Sequence, residues 1–229
     1  MYKNLFIDLD DTLWAFSENA RDTFSDMYDK YHYDRYFDSF DHFYSIYTKR
    51  NVELWDEYGD GKITKYELNE ERFFHPLRKV GVDDKELSFK FSADFFSEIV
   101  FKKKLMPNVI EALEYLAPKY NLYILSNGFR ELQQRKMQSG GIDQYFKKII
   151  LSEDIGVHKP YLQIFQFALS ATQSDVKSSL MIGDNWENDI AGAKNAGFAQ
   201  GFYNIEKKEK MAFQPTFVLN DWGEIELKL

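Results

Sequence analysis

Residues 6–14 read FIDLDDTLW, and three of them are the carboxylates Asp8, Asp10 and Asp11. The residues just ahead, Leu5 to Ile7, form an apolar run of the kind that becomes a buried strand. Like charges this close repel one another, and burying even one carboxylate without a partner is costly. A buried strand ending in such a cluster predicts a place where negative charge is needed. The rest of the chain must then supply the positive counterpart.

Outward from this stretch the texture changes. From about Trp14 to Lys104 the chain is charged, aromatic and nearly free of strand-like runs. Tyr28, Tyr31, Phe37, Phe40, Phe43, Tyr44 and Tyr47 fall in many pairs three or four residues apart, which predicts helices. Gly59, Gly61, Pro76 and Gly81 divide them. After Lys104 a helix is expected to open at Pro107, with Val109, Leu113 and Leu116 on one face. Strands at NLYILSNG (121–128), KKIILS (147–152) and SSLMIGD (178–184) then alternate with helices at RELQQRKMQSGG (130–141), YLQIFQFALSAT (161–172) and NDIAGAKNAG (188–197). Further strands are expected at GFAQGFY (197–203) and PTFVL (215–219). This alternation predicts an α/β fold with a doubly wound parallel sheet of Rossmann type. One strand precedes the aromatic block and the others follow it. The expected organisation is therefore a core built from residues 1–13 and 105–229, with an all-α cap over 14–104 inserted after the first strand.

The 229 residues give ample length for a real core, and 44% hydrophobic and 17% aromatic content suit a folded protein. A formal net charge of −8 argues against a nucleic-acid polymer as main partner, since such binding rests on neutralising many phosphates. It leaves room for a small phosphorylated ligand held by a local positive pocket or a metal. There is no cysteine, which excludes disulfides, thiolate metal sites and cysteine nucleophiles. The start, MYKNLFIDLDD, lacks the pattern of a signal peptide, and no apolar run approaches the length of a bilayer span. A soluble cytoplasmic protein without a membrane partner, monomeric or weakly homodimeric, is the expectation.

In open α/β sheets ligands bind beyond the carboxyl ends of the strands. Those ends deliver Asp8 and Asp10 from the first strand, Ser126 and Asn127 from LSNG, and Asp184 from MIGD, with Asp189 a turn further on. Lys159 stands in VHKPY, after one strand and before a helix. Singly, Ser126 could cap a turn, Lys159 could be a surface lysine and Asp184 a helix N-cap. Jointly they make chemical sense. Asp8, Asp184 and a backbone carbonyl form an all-oxygen set suited to Mg²⁺. Lys159, the Ser126 hydroxyl and the amides of the SNG turn would hold a phosphoryl group. One carboxylate could then attack phosphorus, and a second, two residues on, could protonate the leaving group and later activate water.

The segments DLDDT, LSNG, HKP and GDNWEND resemble the four motifs of the haloacid dehalogenase superfamily. That resemblance implies a Mg²⁺-dependent phosphomonoester hydrolase working through an aspartyl-phosphate. In it Asp8 is nucleophile and metal ligand, and Asp10 is acid/base and ligates through its carbonyl. Asp184 is a metal ligand, while Ser126, Asn127 and Lys159 bind phosphate, and Thr12 and Asp189 give support. The stretches SNGFRELQQRKMQSGGIDQYF, SEDIGVHKP and LWDEYGDGKITKYELNEERF are similar to a nucleotidase branch acting on pyrimidine and noncanonical nucleoside 5′-monophosphates. A sugar-phosphate or phosphoglycolate phosphatase, or a phosphomutase, would use the same core. A regulatory protein storing phospho-aspartate or binding calcium is the non-enzymatic alternative, and Asp10 argues against storage.

Two features of the cap have competing readings. DEYGDGKITKYE, Asp56 to Glu67, nearly fits a calcium-binding EF-hand loop, but Tyr58 occupies a ligand position. The simpler expectation is a turn between helices with Thr64 and Glu67 as a capping box. The aromatic stripe from Phe40 to Tyr58 should mostly be core, with Tyr47 or Trp55 as candidates to stack on a nucleobase. His32, His42, His75 and His158 lack metal-ligand spacing.

Overall fold

Asn4–Ile7 (β1) lies at the centre of a six-stranded sheet in the computed structural model, which describes all 229 residues. The other strands are Asn121–Ser126 (β2), Lys148–Leu151 (β3), Ser179–Gly183 (β4), Ala199–Tyr203 (β5) and Phe217–Leu219 (β6). Their order is β3-β2-β1-β4-β5-β6, and every pairing is parallel. All six expected strands are present. Ile7, the last residue of β1, stands in register with Ile124 on one side and Ile182 on the other, and β4 and β2 run on to Gly183 and Ser126. Every residue of β1 and β4 is buried, as expected of strands covered on both faces.

The chain forms two compact units, Met1–Phe16 with Lys103–Leu229, and Ser17–Lys102. The division falls a few residues inside the insertion expected from sequence. Trp14 is fully buried and bridges to Leu105, and Ala15 N–H donates to the Lys104 carbonyl at 3.0 Å. These contacts tie both crossing points to the sheet unit.

Four helices build the second unit: Phe16–Lys30 (α1), whose first residue is the last of the sheet unit, Phe40–Gly59 (α2), Lys65–Lys79 (α3) and Lys85–Ile99 (α4). Ser39 and Asp84 cap α2 and α4, and Thr64 and Glu67 form the expected capping box on α3. The core is aromatic. The Phe24 ring lies 4.2 Å from that of Tyr47 and 4.3 Å from that of Phe95, centroid to centroid. Tyr47 is therefore buried core and does not present a face for stacking, while Trp55 is half-buried. The calcium-like segment is put to another use. Asp56 lies within α2, Asp60 pairs with Lys62 at 2.8 Å, and the Glu67 carboxylate accepts from Thr64 N–H and hydroxyl at 2.7 and 2.8 Å.

The remaining helices, Val109–Leu116 (α5), Arg130–Gly140 (α6), Leu162–Thr172 (α7) and Gly192–Asn195 (α8), belong to the sheet unit. Phe6, Leu125, Ile150 and Met181 from the sheet pack with Phe165 of α7 and with Phe198. Fully burying each such side chain is worth about 1.5–3 kcal/mol. Two expected helices differ in detail. The helix after Pro107 starts two residues late, because Asn108 takes a left-handed backbone conformation, φ 60°. The helix expected over 188–197 is a π-helical turn, Trp186–Ala191, followed by the short α8. No helix is long and apolar enough to cross a membrane.

Candidate active site

Strand order reverses direction at β1, whose neighbours are β2 and β4, and crevices at such switch points are where open α/β sheets bind ligands. Asp8 follows β1, Ser126 ends β2 and Asp184 follows β4. Asp8 N–H extends the ladder by donating to the Ile182 carbonyl at 2.9 Å. The chain then turns sharply. Leu13 and Trp14 N–H both donate to the Leu9 carbonyl, and Asp11 takes φ 55°, a left-handed conformation that aspartate tolerates better than most residues. The turn answers for the third carboxylate of the opening motif, since Asp11 occupies a backbone position and is half-exposed.

Lys159 supplies the missing positive charge. Its ammonium donates to Asp8 Oδ1 at 2.7 Å, to Asp189 Oδ1 at 2.6 Å and to the Leu125 carbonyl at 2.8 Å. An ammonium has three protons, so all are used. Asn127 braces this lysine: its Oδ1 accepts from Lys159 N–H at 2.8 Å and its Nδ2 donates to the Lys159 carbonyl at 3.0 Å. The side chain of Asn127 thus acts on Lys159. Asp189 Oδ2 accepts from Asn185 N–H at 3.1 Å, a return that the wide π-helical turn permits. A Cβ on Gly183 would overlap the Asp189 carboxylate, which explains glycine ahead of Asp184.

Thr12 couples the first and fourth strands. Its hydroxyl donates to Asp184 Oδ1 at 2.9 Å and accepts from Asp184 N–H at 3.1 Å. The Thr12 carbonyl accepts from the indole of Trp222 at 2.7 Å, a buried contact that sequence reasoning missed.

Asp8, Asp184 and Asp189 bring carboxylate oxygens within 4.8 Å of one another. Burial pushes the Asp8 carboxyl up to about 7, with Lys159 opposing and Asp189 and Asp10 adding to the rise. Burial likewise pushes Asp184 up to about 8, reinforced by Asp189 and Asp8. Burial acts to lower Lys159, but Asp189 and Asp8 outweigh it and hold its ammonium above the usual lysine range. One lysine shared by crowded acids does not balance them: three carboxylates against one ammonium leave two formal negative charges. An all-oxygen, doubly negative cluster fits a hard divalent cation such as Mg²⁺. Each Asp189 oxygen already accepts a hydrogen bond, from Lys159 and from Asn185, whereas Asp8 and Asp184 each keep one oxygen that accepts none, which favours those two for direct ligation.

Asp10 faces elsewhere. Its carboxylate turns to α6, where Gln133 Nε2 donates at 3.0 Å and Lys136 Nζ at 2.8 and 3.1 Å. Gln133 also donates to the Ser126 hydroxyl at 2.7 Å. Both α6 residues are buried, and neither was expected from sequence. A signal existed. Phe129, Gln133, Lys136 and Met137 share the inward stripe of α6, and a buried stripe that carries an amide and an ammonium needs partners.

A family model for haloacid dehalogenase-like hydrolases matches residues 2–197. The chain is similar to the pyrimidine 5′-nucleotidase YjjG of Escherichia coli, 31% identical over 97% of this chain and 95% of that protein. It is also similar to the pyrimidine 5′-nucleotidase PynA of Streptococcus pneumoniae, 26% identical over 78% and 76% of the two chains. The fold matches the magnesium-bound structure of the HAD-hydrolase YfnB from Bacillus subtilis with a TM-score of 0.88, at 24% identity over 99% and 97% of the chains.

Proposed function

This chain belongs to the haloacid dehalogenase-like hydrolases, and from that premise we propose that it is a Mg²⁺-dependent phosphatase of nucleoside 5′-monophosphates. The observation that carries the chemistry is the Lys159 ammonium held between Asp8 and Asp189, with the Asp184 carboxylate at the same cluster. The two pyrimidine 5′-nucleotidase relatives support the substrate class.

In this reading Asp8 and Asp184, with the Asp10 carbonyl, hold the cation. When bound, Mg²⁺ neutralises the cluster and the charge on the phosphoryl oxygens. Lys159 sets positive charge beside the phosphoryl group while its protons stay on Asp8, Asp189 and the Leu125 carbonyl, and the Ser126 hydroxyl orients that group. An Asp8 carboxylate oxygen attacks phosphorus, the bond from phosphorus to the ester oxygen breaks, and a protonated Asp10 gives its proton to the departing oxygen. Asp10, now a carboxylate, takes a proton from water as that water attacks the aspartyl-phosphate. Inorganic phosphate leaves and Asp8 is regenerated. Thr12 keeps Asp184 aligned with the loop that carries Asp8.

The test is phosphate release across ribo- and deoxyribonucleoside monophosphates and small sugar phosphates. Turnover that is lost with chelator, restored by Mg²⁺ and absent from Asp8→Asn is the expected result. Activity surviving in Asp8→Asn refutes the nucleophile, and a preference for sugar phosphates refutes the nucleotidase reading.

A further inference from the structure

Gln133 is fully buried, yet it carries an amide oxygen, Oε1, with no hydrogen-bond partner. Leaving such a group unsatisfied is costly, so its retention calls for a use. Its nitrogen shows one. The two Nε2 protons go to Ser126 Oγ at 2.7 Å and to Asp10 Oδ2 at 3.0 Å. The orientation is set in the ionised form of Asp10, the form that pairs with Lys136, because that carboxylate only accepts and would repel the amide oxygen.

Ser126 Oγ also accepts from Gly128 N–H at 3.1 Å. A hydroxyl oxygen has two lone pairs, and both are now filled. Its own proton is therefore directed outward as a donor, the polarity that a phosphoryl oxygen requires. Gly128 belongs to the same device, since a Cβ there would overlap the Gln133 carboxamide.

Lys136 completes it. Its ammonium grips both oxygens of Asp10 at 2.8 and 3.1 Å while lying 5.1 Å from the Trp14 ring and 4.9 Å from the Phe16 ring. The Lys136 side chain is 3% exposed and that of Asp10 is 27% exposed. The carboxylate is thus anchored from its buried side and open on the other.

We propose that Gln133 and Lys136 of α6 are positioning residues that dock the Asp10 carboxylate and set Ser126 as a donor to the phosphoryl group. One helix then orients both the phosphate grip and the acid/base. This rests on the phosphatase reading above and adds residues to it. The dock acts only through Asp10 and Ser126, so its loss should be felt according to how much a substrate needs proton transfer.

The experiment compares wild type, Lys136→Met, Lys136→Arg and Gln133→Leu on a nucleoside monophosphate and on p-nitrophenyl phosphate, whose leaving group departs without a proton. Lys136→Met is expected to lose about 10²-fold in kcat on the nucleoside monophosphate. On p-nitrophenyl phosphate it should release a rapid burst of one p-nitrophenolate per enzyme and then turn over slowly, as the phosphoenzyme waits for its base. Lys136→Arg should recover at least part of the lost kcat. Gln133→Leu should raise KM and the inhibition constant of inorganic phosphate. A Mg²⁺-induced thermal shift equal to wild type certifies that each variant is folded with its carboxylate cluster intact. Equal losses on both substrates without a burst, or kcat within twofold of wild type, overturn the dock. Wild type inactive on every phosphate ester would instead overturn the phosphatase reading.

Discussion

Lys159 is a buried cation that two buried carboxylates share, and the consequence is a pH-dependent cluster. Asp8 and Asp184, pushed up to about 7 and about 8 chiefly by burial, take up protons in the folded protein where an unfolded chain, with carboxyls near 3.8, has lost them. The folded state then binds more protons than the unfolded one between those limits. Their contribution to stability is present at low pH and falls as pH rises toward about 8. A cation that binds the ionised carboxylates reverses this penalty, and binding releases protons. The thermal shift produced by saturating Mg²⁺ should therefore grow between about pH 5.5 and about pH 8, measured by scanning fluorimetry. A shift that stays flat or shrinks with pH would place the ion elsewhere. Asp8, Asp184 and Lys159 were legible in sequence because each sits at a strand end in a recognisable segment. Gln133, Lys136 and Trp222 were not, because each lies in a helical segment away from the strand ends, where even a shared buried stripe does not say which partner it meets.

At the scale of elements, the π-helical turn at Trp186–Ala191 shows what periodicity conceals. The apolar spacing of 188–197 reads as an ordinary helix, but the widened turn swings Asp189 back over the end of β4 to reach Lys159 and the Asn185 amide. Only glycine at 183 leaves room for that carboxylate. Gly183→Ala should displace Asp189 from Lys159 and lower kcat by at least about 10-fold, the scale of one misplaced hydrogen-bonded charge. Far-ultraviolet circular dichroism should stay that of wild type, because β4 keeps its ladder with β1 and β5. Activity within twofold of wild type would mean that Asp189 is not needed to hold Lys159. The strands themselves were readable. Most are short apolar runs closed by turn residues, and the full burial of β1 and β4 leaves no alternation to misread there. The aromatic helices were readable in kind but not in facing, and Tyr47 turned inward onto Phe24 rather than toward a ligand.

For the whole molecule, the fold predicts which part stands alone. All six strands, both lysines of the site and every carboxylate of the cluster lie in the unit of residues 1–16 and 103–229. The two chain crossings are stitched side by side on that unit: Met106 N–H donates to the Leu13 carbonyl at 2.8 Å and Ala15 N–H to Lys104. Closing a loop between ends already in contact costs little, and lengthening it changes the cost only slowly. The inserted helices close on their own aromatic core around Phe24 and contribute no strand to the sheet. Replacing residues 17–102 by a short Gly/Ser linker should therefore leave a chain that unfolds in one cooperative step and still gains thermal stability from Mg²⁺. Chemical denaturation followed by tryptophan fluorescence would report it, since Trp14, Trp186 and Trp222 all remain. A gradual, non-cooperative transition without a magnesium effect would show that the sheet unit depends on the helical one for its fold.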